Sequence, residues 1–458
     1  MKQTGNFPMG NRWKGFPLVI VLIIFTACAQ RNEKKSITYS RDIHPIIRLH
    51  CTPCHRPGAA GPFDLISFDD VKSHAHTVAL TVQTRFMPPW PADPSYVHFK
   101  EEKYLTDEEI SLISDWVDAS CPEGEQMDYS LSDTSTGYGR PDLTIRLSEA
   151  FKLPGDNLDK FMMMKVPIEI PNDTFVRMIE IVPGNTKLVH HINAHFVQYQ
   201  DGAKGTLKNG LKAINTELHD KKEAYKLLDL PNDDGSYPML TPSVANFLPG
   251  VEPALYPNGI GGYRLKKNSV LLLDNIHYGP TPIDTTDQTA FNIYFMPKAP
   301  VRPTKEMILG TSGITPIEPP LIIAPGNVQT FITRYTLPED ISLLTVNPHM
   351  HLLGSSFKAY ALTPTQDTIR LLRIGKWDFR WQYFYTYQHP LKLSKGTTII
   401  AEGVYDNTEN NPLNPFHPPQ QISEREGSMR TTDEMFQLIC TYLPYLEGDE
   451  TIDLEKTY

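Results

Sequence analysis

Cysteine is scarce in this chain, at five in 458 residues. That is too few for the dense disulfide framework that small exported domains use in place of a large core. Clustered positive charge is missing as well: no Lys/Arg block occurs, and 43 Lys and Arg against 53 Asp and Glu leave a net charge of −10. This balance argues against a polyanion partner such as nucleic acid. Beyond the first thirty residues no apolar run approaches the roughly 20 residues of a membrane-spanning helix. Helical periodicity is modest, whereas forty prolines favour β-rich architecture with many turns. Stability must then come mainly from burial and bound cofactors.

The start of the chain reads as an export signal over residues 1–30. Lys2, Arg12 and Lys14 precede the apolar run 17–25, which is too short to cross a bilayer. Thr26-Ala27-Cys28 resembles a bacterial lipobox, with Phe25 where Leu is usual. The expectation is lipidation at Cys28 and a lipid-anchored membrane protein on the periplasmic side of a bacterial cell envelope.

Three of the cysteines are thereby given roles, because Cys51-Thr52-Pro53-Cys54-His55 is a C-x-x-C-H signature. Two thiols three positions apart can add to the two vinyl groups of one haem, and the next residue offers an imidazole to the iron. Cys51, Cys54 and His55 are therefore expected to hold a covalent haem c. The run 39–48 suits a short helix leading into the motif. Thr106 begins a capped amphipathic helix with acids in its first turn and Ile110, Ile113, Trp116 and Val117 on one stripe. Residues 36–125 resemble a small all-α class I cytochrome c. Met87, in the proline-flanked loop Arg85–Trp90, is the expected sixth iron ligand, with His74 and His76 as competitors. Cys121 and Cys440 remain, and spacing alone leaves open whether they pair.

An acidic linker, 122–140, leads into short strands and turns. The methionines of 161–168 read as core packing, and 206–230 as a helical insertion through Leu207, Leu211, Ile214, Leu218 and Tyr225. The Pro-rich stretch 296–303 marks a boundary between domains at 141–298 and 299–445. His190-His191 follows a Pro-Gly turn, His277 lies near a strand end, and His349-Met350-His351 closes an apolar run. In an extended chain His349 and His351 share a face, whereas His190 and His191 need a bend to converge. Imidazole suits copper, zinc or iron, and thioether shifts the preference toward Cu(I). His195 reads as a structural histidine.

In order along the chain, Val189-His-His-Ile, Ile276-His277-Tyr278-Gly279, His349-Met-His-Leu-Leu-Gly354 and Thr432-Asp-Glu-Met435 resemble the type II, ascorbate-dependent copper monooxygenases. That family includes the peptidylglycine and dopamine hydroxylating enzymes. The resemblance implies two consecutive all-β, jelly-roll-like sandwiches after the haem module, with two mononuclear coppers across a solvent-filled gap. It implies an electron-transfer copper at His190, His191 and His277, and an oxygen-binding copper at His349, His351 and Met435. The implied reaction hydroxylates an aliphatic C–H bond of a small organic substrate with O₂. Electrons would come from ascorbate, from a redox protein or from the fused haem.

Two departures stand against a peptide substrate. Asn347 occupies the place of the carboxylate-gripping Arg, and Gln437 and Ile439 the places of an Asn and a Tyr. Losing a bidentate guanidinium removes charge-assisted bonds worth about 1.5–3 kcal/mol each. The alternative is a non-catalytic haem and copper protein for electron transfer or copper handling.

Overall fold

The computed structural model describes residues 36–129, 138–257, 259–425 and 430–455. The expected signal segment, Cys28 included, lies outside them. Among the described residues no helix is long and apolar enough to cross a membrane. β-strand is the predominant regular structure among the described residues, consistent with β-sandwich domains, and the described residues from Ile37 onward form one compact unit.

The helices gather at the front. A π turn, Tyr39–Ile43, runs into the helix His44–His50, and two further helices, Phe68–Ser73 and Ala75–Gln83, precede Asp107–Asp118. The last begins as its sequence dictates: Thr106 and Glu109 exchange side-chain and backbone bonds in a capping box. Its Ile113, Trp116 and Val117 pack with Tyr39, Ile43 and Ile47. Cys121 lies in that cluster and Cys440 in a distant strand, and both are free thiols.

Two pairs of antiparallel sheets follow. In the first, Leu143–Arg146, Ala290–Met296, Thr174–Val182 and Tyr263–Leu265 adjoin in that order. They share a core with the sheet built around Lys160–Glu169, Asn268–Tyr278 and Val189–Gln198. Asn268–Tyr278 is buried almost throughout because both its faces are covered: Leu271 and Leu273 enter the sandwich core, Val270 and Leu272 a smaller cluster behind it. The methionine run does the same, Met162 and Met164 facing one core and Met163 the other. Residues 206–230 are not one helix. Gly210 has φ +78°, Ile214 pairs with Met163 in the strand Ala213–Asn215, and only Lys221–Leu227 is helical. The apolar spacing is real, but a left-handed glycine and a sheet edge waiting for a partner outweigh it.

The second pair sets Lys305–Gly310, Phe436–Pro444, Ile341–Met350 and Tyr385–Leu393 against a sheet that includes Val328–Thr336, Thr398–Asp406 and Gly354–Leu362. Its core contains residues from the front of the chain: Ala92 and Phe99 are buried in it, and Trp90 and Val97 pack against it. Asp93 pairs with Arg373, and Lys100 N–H donates to Thr386 O at 2.7 Å. At about 1.5–3 kcal/mol for a fully buried large apolar side chain, this segment ties the helical module to the last sandwich.

Candidate metal centres and the loop that joins them

The C-x-x-C-H segment forms a single turn after its helix, with His55 N–H donating to Cys51 O at 2.9 Å. Cys51 and Cys54 are separate free thiols, and burial pushes the Cys51 thiol up to about 12 and raises that of Cys54. His55 Nδ1 lies 2.9 Å from Phe63 O. A carbonyl only accepts, so Nδ1 carries the proton and Nε2 is left with a free lone pair, as an axial imidazole requires. Gly61 makes that loop possible, since a Cβ there would come within 2.7 Å of Cys54 O and 2.9 Å of the His55 ring. The donor set fits a covalent haem. Of the candidates for the sixth position, His74 is engaged by Asp70 O and stacked on Phe63 at 3.9 Å. His76 is exposed and Met87 half-buried.

The first histidine set sits at adjoining strand ends. His191 pairs with His277, but Tyr278 pairs with Val189, so His190 is the extra residue of a β-bulge. The bulge supplies the bend that adjacent histidines need. The His190 and His191 rings lie 5.0 and 5.1 Å from the His277 ring. Nδ1 of each of the three is buried without a hydrogen-bond partner. Leaving such an atom unsatisfied costs about 1–3 kcal/mol, a cost that a metal bound at His190 and His277 would remove; His191 Nε2 lies 3.2 Å from the Asn275 amide nitrogen. His277 Nε2 donates to Asp159 at 2.6 Å, which leaves Nδ1 as its bare nitrogen and holds the Asp159 carboxyl below its usual range. Burial drives His190 down to about 4 and His191 well below 6.5, so both rings are neutral, the form that ligates metal.

The second set comes from the other sandwich. His349 and His351 lie on one face of a strand end, rings 5.0 Å apart. His349 Nδ1 meets Gln382 Oε1, which leaves its Nε2 as the bare nitrogen, and His351 Nδ1 meets Asp433 O at 2.9 Å. Burial lowers them to about 3 and about 4. Buried Met435 follows Glu434, whose carboxylate accepts from His351 N–H at 2.9 Å and Leu353 N–H at 2.7 Å. Tyr405 donates its hydroxyl to Met435 O at 2.6 Å. His349 and Met435 both line a 790 Å³ cavity that His191 lines from the first sandwich. Both sets fit copper in donor chemistry. Among the described residues, however, no group of three or more His, Cys, Asp or Glu has ready metal-holding geometry; the imidazoles are gathered rather than converged.

His195 belongs to the cavity wall, bonded to Asp274 at 3.2 Å and to Thr241 O at 3.0 Å. Asn347 spends its amide on Tyr383 O at 2.9 Å, and Gln437 donates to Thr311 O at 2.6 Å.

Sequence reasoning missed the loop Trp377–Tyr385. The Phe379 ring lies 6.4 Å from His191, 6.3 Å from His277 and 5.6 Å from His351, so one side chain reaches both sets. Gln382 holds His349. A signal was present, with aromatics at every second position from Trp377 to Tyr385.

Comparison with known proteins adds one family match. Residues 314–415 match the C-terminal domain of the copper type II ascorbate-dependent monooxygenases. The match takes in His349 and His351 and ends before Met435. No curated protein matches the chain. Among solved structures it is similar to the infectious bursal disease virus VP2 subviral particle, at 8% identity over 69% of this chain and 84% of that one, TM-score 0.15. The Gx strain of the same virus gives 9% identity over 70% and 85%, also at TM-score 0.15. Similarity that weak carries no argument.

Proposed function

We propose that this chain is an exported copper monooxygenase that hydroxylates an aliphatic C–H bond with O₂, and that a covalent haem c at Cys51, Cys54 and His55 is its electron entry. The observation that carries the reading is one cavity lined by His191 of the first set and by His349 and Met435 of the second, within a chain whose residues 314–415 match the C-terminal domain of the copper family. His190, His191 and His277 would hold one copper, and His349, His351 and Met435 the other. Copper at these positions would supply the one-electron steps and the reduction of O₂.

The protein's own part is orientation. Gln382 and Asp433 fix the tautomers of His349 and His351, and Asp159 backs His277. The cavity is large enough for a small organic substrate, with His349 and Met435 on its wall. Neither Asn347 nor Gln437 offers a cation, which favours substrates other than a peptide carboxylate. Met87 is the proposed sixth haem ligand, and Cys28 the proposed lipid anchor at the envelope.

The test is O₂ consumption by the copper-loaded, haem-loaded protein across a substrate panel. Substrate-dependent uptake with hydroxylated product, lost in His351→Ala while the haem spectrum is kept, is the expected result. Full activity in that variant would overturn the assignment. The occupied amides of Asn347 and Gln437 also suit a second reading, electron transfer or copper handling without hydroxylation. Bound copper with no turnover on any substrate would establish it.

A further inference from the structure

We propose that Tyr383 and Trp381 carry electrons from the C-x-x-C-H turn to the His190–His191–His277 set. This rests on the reading that haem and copper occupy those sites, and goes beyond it by naming the path.

The argument begins where the two modules touch. Cys54 Sγ packs directly on Gly250, so closely that a Cβ there would overlap the sulfur. Burial raises the Tyr383 hydroxyl well above its usual range, and the Cys54 thiol adds to that rise. Cys54, which would hold the haem through a thioether, thus lies where the helical module meets the segment that contains Gly250. Tyr383 is bound to that module directly: its hydroxyl donates to Pro89 O at 2.7 Å, two residues past Met87, and its ring lies 5.4 Å from Trp90.

From Tyr383 the rings continue inward. Trp381 stacks on Tyr383 with centroids 6.3 Å apart and planes 18° from parallel. The Trp381 ring lies 6.4 Å from that of His190. These are the separations of packed aromatic pairs, so the route from Tyr383 to the imidazole is a continuous line of side chains rather than a gap. The loop holding them is pinned. Asn347 donates to Tyr383 O at 2.9 Å, Gln382 donates to Phe379 O at 2.9 Å, and Arg380 pairs with Asp378 at 2.6 Å. Fixed geometry suits electron transfer, where the protein's contribution is to position one redox group against another.

The step transfers one electron. A haem held by Cys51, Cys54 and His55 would go from ferrous to ferric as a copper held by His190, His191 and His277 went from Cu(II) to Cu(I). No bond or proton changes at Tyr383 or Trp381, which act as the medium and are not themselves oxidised.

The test uses the full chain, with haem absorbance and copper content measured first. Flash photoreduction of the oxidised, copper-loaded protein without O₂ or substrate places one electron on the haem, and the decay of the ferrous absorbance reads its transfer to copper. In Trp381→Leu that decay should slow by roughly tenfold, which corresponds to about 1.4 kcal/mol of barrier. Trp381→Phe, which keeps a ring, should stay close to the wild type. An unchanged decay in a folded Trp381→Leu protein with both metals bound overturns the path alone. A wild-type protein that lacks haem or copper overturns the reading beneath it.

Discussion

Glu434 is the residue whose removal should separate the two histidine sets. Its carboxylate is buried and accepts from the backbone N–H of His351 and Leu353. It thus ties the turn that presents His351 to the strand that begins beside Met435. Glu434→Ala strands both donors in the interior. At about 1–3 kcal/mol for each buried donor left unsatisfied, the loss is about 2–6 kcal/mol. That is a large fraction of the ~5–15 kcal/mol that holds most proteins folded, so Glu434→Gln, which keeps one acceptor, should fall between the variant and the wild type. Urea unfolding followed by circular dichroism reads the stability, and metal analysis reads the sites. Copper should be lost from His349, His351 and Met435 and kept at His190, His191 and His277. A Glu434→Ala protein within about 1 kcal/mol of the wild type and with unchanged copper would refute the reasoning.

Three further outcomes are expected. Asp159→Asn removes the carboxylate behind His277 and should weaken copper at the first set by about 10–100-fold, read by competition with a chelator; unchanged affinity would contradict the orientation argument. Gly250 has φ +72° and Cys54 Sγ against it, whereas Gly235 has φ +84° and open space around it. Gly235→Ala should cost only the left-handed strain of about 1–2 kcal/mol, and Gly250→Ala a further ~1–3 kcal/mol for overpacking, so equal thermal midpoints would show that the modules do not press together there. The metal-free protein should lose stability as pH falls from 6.5 toward about 4, because the unfolded chain protonates histidines that burial keeps neutral in the fold. Glu434, raised to about 8 from 4.5, acts in the opposite sense across its own window, but it is one group against several imidazoles. A urea midpoint at pH 5 no lower than at pH 7 would contradict the sign.

What could be read from the residues alone was what depends on near neighbours. The helix at Asp107–Asp118 follows from Thr106 and Glu109 three apart, and the C-x-x-C-H signature is read from five consecutive residues. The pairing of His349 with His351 needs only the two-residue period of a strand. His190 and His191 were harder, since their gathering beside His277 depends on a register shift between two strands far apart in the chain. The stretch 206–230 misled because helical spacing of apolar residues says nothing of Ile214 completing a sheet edge beside Met163. The loop Trp377–Tyr385 shows its aromatics in the sequence, but which rings they meet is decided by how the sandwiches and the helical module dock. Likewise nothing local announces that Ala92 and Phe99, within the helical region, are buried in the core of the last sandwich.

Copper content per chain tests the central claim most directly. Two coppers in the wild type, falling to one in His191→Ala and to one in His351→Ala, is the predicted result. A chain that binds none, or whose copper count is untouched by either substitution, would contradict it.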